Sequence, residues 1–143
     1  MWSSDILCGA LTVLVIAAGI QDWRSGEVSN WLTIPPFAAG TIACAWRSFI
    51  DPPAGIMLST FVLFLTALFL KKDWMGAADW KILVGLFGLW PLAGFASLIV
   101  AGIWGAIEMV RVRDPRVRFP GVSAFAIATA LTFMVTLCKV TPC

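Results

Sequence analysis

The sequence contains no histidine and no tyrosine, and Asp and Glu together number 8 in 143 residues. Without histidine, Ser-His-Asp and Cys-His nucleophile systems and the usual zinc hydrolase sites are excluded. The four cysteines, Cys8, Cys44, Cys138 and Cys143, match no zinc-binding spacing. All four fall on the outer side, where a disulfide is permitted if that side is oxidising, and the three in or near spans are read as small apolar fillers. No Gly-rich phosphate loop follows a strand pattern, so neither ATP nor a dinucleotide has support, and no cofactor or metal is expected. The net charge of +2 is too small to point to a nucleic-acid partner. Charge of either sign is scarce, 13% of residues against about 25% in an ordinary soluble domain. What is abundant is apolar surface: 60% hydrophobic residues and a mean hydropathy of +0.92. The implied solvent is a lipid bilayer.

Six apolar segments succeed one another: Ile6 to Gln21, Trp31 to Trp46, Ala54 to Leu70, Ile82 to Trp90, Leu92 to Val110 and Phe119 to Cys138. Each must be helical, because lipid offers no partner to an unpaired backbone group. The expected architecture is an all-α integral membrane protein of six transmembrane helices forming one domain over residues 1–143, the fourth helix short and broken from the fifth at Pro91. Crossing a hydrocarbon layer takes roughly 20 residues. Several segments fall at or below that length, so either they thin the bilayer locally or the protein shelters their ends. The N-terminal Met-Trp-Ser-Ser-Asp lacks the basic region of a cleavable signal peptide, so the first segment is read as a retained span.

Basic residues orient the spans. With six spans and both termini outside, Arg24, Lys71, Lys72, Lys81, Arg111, Arg113, Arg116 and Arg118 fall on the cytoplasmic side and only Arg47 and Lys139 outside. That is the asymmetry the positive-inside rule requires. Five spans would divide the same charges evenly. Trp23, Trp31, Trp46, Trp74 and Trp90 lie near span ends, where an interfacial aromatic belt forms.

This topology brings Asp22, which closes the first segment, to the same depth as Asp79, which opens the fourth. Asp79 reads either as a helix N-cap favoured by the dipole or as a working acid. Asp22 stands at a helix C-terminus, where the dipole opposes a carboxylate, and Arg24 is its nearest sequence partner. Ionisable groups at membrane depth are costly enough to be functional candidates, and each of these acids is the other's candidate partner. Asn30 reads as the N-cap of the second span. Lys81 either snorkels to the interface or holds a favourable charge near Asp79. Gly76 permits a tight turn or close helix approach. Glu27, Asp73, Glu108 and Asp114 read as solvated loop acids, with attraction of a basic segment as the alternative.

The stretch Asp22-Trp-Arg-Ser-Gly-Glu-Val-Ser-Asn30 resembles the first motif of type IV prepilin peptidases, an Asp ending one helix and an Asn opening the next. Gly76-Ala-Ala78-Asp79-Trp-Lys81-Ile-Leu resembles their second, Gly-x-Gly-Asp followed by x-Lys-Leu-Leu. Arg118-Phe-Pro-Gly-Val-Ser-Ala-Phe-Ala is similar to the Pro- and Gly-bearing opening of the family's last helix. Two departures stand out. Ser29 occupies a position where Pro often precedes the Asn, and Ala78 replaces the second Gly. Ala78 would be strained if its φ had to be positive; it is read as a tolerated variant.

The resemblance implies an intramembrane aspartic endopeptidase of the bacterial inner membrane, with Asp22 and Asp79 catalytic. Its substrate would be a prepilin with a short basic leader and a hydrophobic helix, cut after a Gly at the cytoplasmic face. The loop after the first span is too short for the Cys-x-x-Cys insert of longer members. This implies the compact form of tight-adherence (Flp) pilus systems, without pilin N-methylation. Presenilin-type proteases pair Gly-x-Gly-Asp with Tyr-Asp, and the chain has no Tyr. A catalytically silent assembly subunit, or an ion-coupled transporter using the two acids, stays open at this level. The transporter would favour acids near the bilayer midplane.

Overall fold

The computed structural model describes residues 2–72, 76–112 and 121–140. Asp73, Trp74, Arg113, Asp114, Arg116, Arg118 and Cys143 lie outside the described residues, as do the side chains of Lys71, Lys72 and Lys139. Among the described residues six helices follow in order: α1 (Trp2–Ser25), α2 (Asn30–Ile50), α3 (Pro52–Lys72), α4 (Ala77–Leu89), α5 (Pro91–Val112) and α6 (Gly121–Val140). The all-α architecture is therefore as read from the apolar segments.

Helix ends carry local causes. The first helix continues one turn past Asp22 and stops where Gly26 adopts φ 67° and donates its N–H to the Asp22 carbonyl at 2.8 Å. Gly tolerates this left-handed position where a side chain would be strained. The cap of α2 is a correction to the sequence reading. Ser29, not Asn30, is the N-cap, its hydroxyl accepting from the Trp31 N–H at 3.4 Å. At the α4–α5 boundary Trp90 leaves the helical region (φ −144°, ψ 80°), which the following Pro91 disfavours, and Pro91 opens α5 without needing its missing N–H.

The bundle is built outward from α4. Residues Ile82 through Gly88 are all buried, so this helix is apolar on every side because protein surrounds it. Thirteen residues rise only about 20 Å, and neighbouring helices shelter them. Phe87 packs edge-on against Phe61 and Phe95, with centroids 5.0 Å and 4.9 Å away. Large apolar side chains point outward from the surrounding helices, with Trp31 87% and Phe49 84% exposed against 0% for Phe87. Inside, small residues recur: Ala18, Ala93, Ala124 and Ala128 are buried. Helices in lipid gain nothing from hiding Leu from Leu, so close backbone approach through small residues takes over.

Two seams show this. Parallel helices α2 and α4 touch through glycine: a Cβ added at Gly40 would meet the Gly85 Cα at 2.5 Å, and one at Gly85 would meet the Pro36 carbonyl oxygen at 2.7 Å. At the far end of this seam the Arg47 guanidinium donates to the Leu89 carbonyl at 3.4 Å, supplying a cation to the C-terminus of α4. Helices α1 and α6 run antiparallel, and Gly19 lets them close, since a Cβ there would lie 2.6 Å from that of Ala126.

Among the described residues three helical stretches are long and apolar enough to cross a membrane: Ile6–Ser25, Pro91–Val112 and Gly121–Cys138, with Pro52–Ala67 a shorter apolar helix. Cys44 is buried inside α2, and Cys138 carries an exposed thiol.

Candidate active site

The C-terminus of α1 and the N-termini of α2, α4 and α6 gather at one end of the bundle. Asp22 sits in the last turn of α1 and aims its carboxylate across the seam at α6. Its Oδ2 accepts from the Ser123 backbone N–H at 3.2 Å and lies 3.3 Å from the Ser123 hydroxyl. The α6 dipole thus offsets the unfavourable one of α1.

Asp79 occupies the third position of α4. Gly76 is the N-cap, and its N–H donates to Asp79 Oδ2 at 3.1 Å, half of a capping box. Asp79 therefore does serve a cap, but from inside the helix. Its carboxylate also accepts from the Val122 backbone N–H and feels the charge of Asp22. Burial raises Asp79 from 3.8 to about 6; the Gly76 and Val122 bonds oppose the rise, and Asp22 adds to it. It stands before the apolar run that begins at Ile82, at the mouth of the bundle.

The supporting residues take up positions that spacing alone did not specify. Gly76 has an ordinary φ of −63°, so its value is space: a Cβ would come within 3.0 Å of Asp79 Oδ2. Ala78 lies inside the first turn of α4, with helical backbone, and the anticipated strain does not arise. Alanine suits that position better than glycine. Lys81 makes no ion pair with Asp79. Its Nζ donates to Asn30 Oδ1 at 2.9 Å, tying the start of α4 to the start of α2. Among the described residues the ion pair is Arg111–Glu108 at 3.5 Å, within α5. Glu27 is exposed.

Sequence reasoning missed several contributors. Gln21 accepts from the Ser29 N–H at 3.1 Å and closes the loop between the first two helices. Gly121, Val122 and Ser123 form the turn against which both acids rest. Gly121 leaves room for Asp79, since a Cβ there would meet its Oδ1 at 2.6 Å. The Pro-Gly opening of α6 was the available signal, but nothing in it named the acids as partners. Among the described residues no three His, Cys, Asp or Glu side chains gather, so the site offers two carboxylates and the donors that hold them.

Two acids brought together at helix ends in an apolar bundle are equipped for general acid–base chemistry on a bound chain. Comparison by sequence supplies the family: the profile of the type IV leader peptidase family matches residues 9–137. The chain belongs to the type IV leader peptidase family. Comparison with curated proteins and with solved structures gives no match. The family match extends from α1 to α6, so it includes both acids of the type IV leader peptidase chain and the α6 turn that holds them.

Proposed function

We propose that this type IV leader peptidase is an aspartic endopeptidase of the bacterial inner membrane. It removes the short basic leader of an Flp-like prepilin at the cytoplasmic face through Asp22 and Asp79. The observation that carries the reading is the convergence of both carboxylates on one turn, Gly121 to Ser123, each held by a backbone N–H. Two carboxylates so placed cannot both ionise cheaply, and one retains a proton near neutrality. Burial makes Asp79 the better holder of that proton. The ionised partner takes a proton from a water attacking the scissile carbonyl. The protonated one donates to the developing oxyanion, and the proton on the base then passes to the leaving amine. The pair titrates as a unit, so a pH profile reports its two apparent values.

The single domain, six spans and outside termini accompany this reading, as do membrane lipid and the prepilin as partners. In support, the site end of the bundle carries Arg24 and Lys81, and the opposite end Arg47. The test is leader removal from a co-expressed pilin precursor in membrane vesicles. Asp22→Asn and Asp79→Asn are each expected to abolish it, while Asp73→Asn and Asp114→Asn retain substantial activity. Normal processing by either dyad variant would remove the mechanism. A wild-type chain that cleaves nothing would mark a silent assembly subunit.

A further inference from the structure

The Ser123 hydroxyl has one proton and two neighbours. Its Oγ is 2.8 Å from the Gly19 carbonyl oxygen and 3.3 Å from Asp22 Oδ2, while its own backbone N–H reaches the same Oδ2 at 3.2 Å. The side chain is buried, 7% exposed, in the narrow seam that Gly19 creates. A hydroxyl so placed can serve Asp22 in both protonation states. When Asp22 is ionised, Ser123 donates to Oδ2. When Asp22 carries the proton, its O–H donates to Oγ and the Ser123 proton turns to the Gly19 carbonyl. No proton is gained or lost by Ser123 in either arrangement. One residue earlier, Val122 supplies its N–H to Asp79, and Gly121 supplies only space, because a Cβ there would meet Asp79 Oδ1 at 2.6 Å.

We infer that the first turn of α6 is the positioning element of the dyad: Ser123 holds Asp22 through its change of protonation, and Gly121 sets the distance at which Asp79 stands. This rests on the reading of Asp22 and Asp79 as the working pair. A base that must accept a proton and later return it needs an orienting partner that can both donate and accept. Ser123 has that capacity; a backbone N–H alone does not. Among the described residues Asp79 is a charged group that faces Asp22 across the site, so a change in either acid's support is felt by the pair.

The test uses the full chain in detergent or vesicles. Its probe is a synthetic precursor with a Lys-rich leader, a Gly at the cleavage point and a following apolar helix. Ser123→Ala keeps the backbone N–H and loses the hydroxyl. It is expected to lower kcat about tenfold to a hundredfold with KM nearly unchanged. It should also move the acidic limb of the kcat/KM profile upward by about one pH unit, because a donor to the ionised form has gone. Ser123→Thr, which keeps a hydroxyl, should recover part of both effects. A hydroxyl that only bridges the two helices through Gly19 would change thermal stability and leave the acidic limb in place; that result overturns the inference. If Ser123→Ala fails to accumulate, Gly121→Ala decides. Its kcat should fall at least tenfold at unchanged KM, and wild-type kinetics would overturn the inference. Dead Asp22→Asn and Asp79→Asn variants beside an unchanged Ser123→Ala would sink the positioning role alone. Active Asp-to-Asn variants would sink the dyad itself.

Discussion

The α2–α4 and α1–α6 seams both close on glycine, but for different ends. Along α2–α4, Gly40, Gly85 and Gly88 bring backbone against backbone, and the result is a buried central helix. Along α1–α6, Gly19 brings Ser123 within reach of Asp22, and Gly121 then leaves an opening that a carboxylate from a third helix fills. The missing side chain serves packing in one seam and makes room for a carboxylate in the other. Close approach through small residues is the general way membrane helices adhere. Here the same device also assembles a polar site from residues about a hundred positions apart.

The comparison can be broken most severely at the acids. Asn at Asp22 or Asp79 preserves shape and removes the proposed acid–base function. Leader removal should fall by about a thousandfold or more in a vesicle cleavage assay, with the protein still accumulating. Gly40→Val attacks the other seam and should do the reverse. It forces α2 from α4 and is expected to cost about 1–3 kcal/mol, read as a lower melting temperature in detergent before any specific effect on chemistry.

A pH series separates the two seams further. The fold holds the Asp79 carboxyl at about 6, above its unfolded 3.8, so folding favours the protonated acid. The resulting stability is fully present below 3.8 and is lost as pH rises through 6. Wild-type melting temperature should therefore decline over this window relative to Asp79→Asn, whereas Gly40→Val should keep the wild-type slope. Cleavage should fall along an alkaline limb as the pair loses its shared proton.

Smaller effects are expected where the two halves of the site are tied. Lys81→Met and Asn30→Ala each remove the 2.9 Å bond between α4 and α2. Each should reduce cleavage less than about tenfold, and a double-mutant cycle should show that the two losses are not additive. The smallest change is expected from Ala78→Gly. Because this position is helical, restoring the glycine common in the family should destabilise α4 by at most ~1 kcal/mol and leave cleavage within about twofold, measured as melting temperature and initial rate.

Much of this architecture is visible in the residues themselves. Scarce charge, six apolar runs and a proline after Trp90 specify six helices with a break, because lipid forces helicity and Pro91 cannot continue α4. The aspartates stand out because one closes and the other opens an apolar run at the same expected depth. The cap of α2 was less legible, since Ser29 and Asn30 are both good cap residues and only backbone angles distinguish them. Lys81 was ambiguous for a related reason: a long flexible cation has many partners within reach, and only folding puts Asn30 beside it.

By itself the sequence determined the solvent, the helices, the family motifs and the two acids. Each follows from composition, length or local pattern. Only the tertiary structure decided that α4 is buried on all sides, that Ala78 bears no strain, and that α6 seats both Asp22 and Asp79. Ser123 and Gly121 have no local feature marking them as partners of Asp22 and Asp79. Their roles arise from helices crossing at small residues, a relation among distant segments that no local period or spacing encodes.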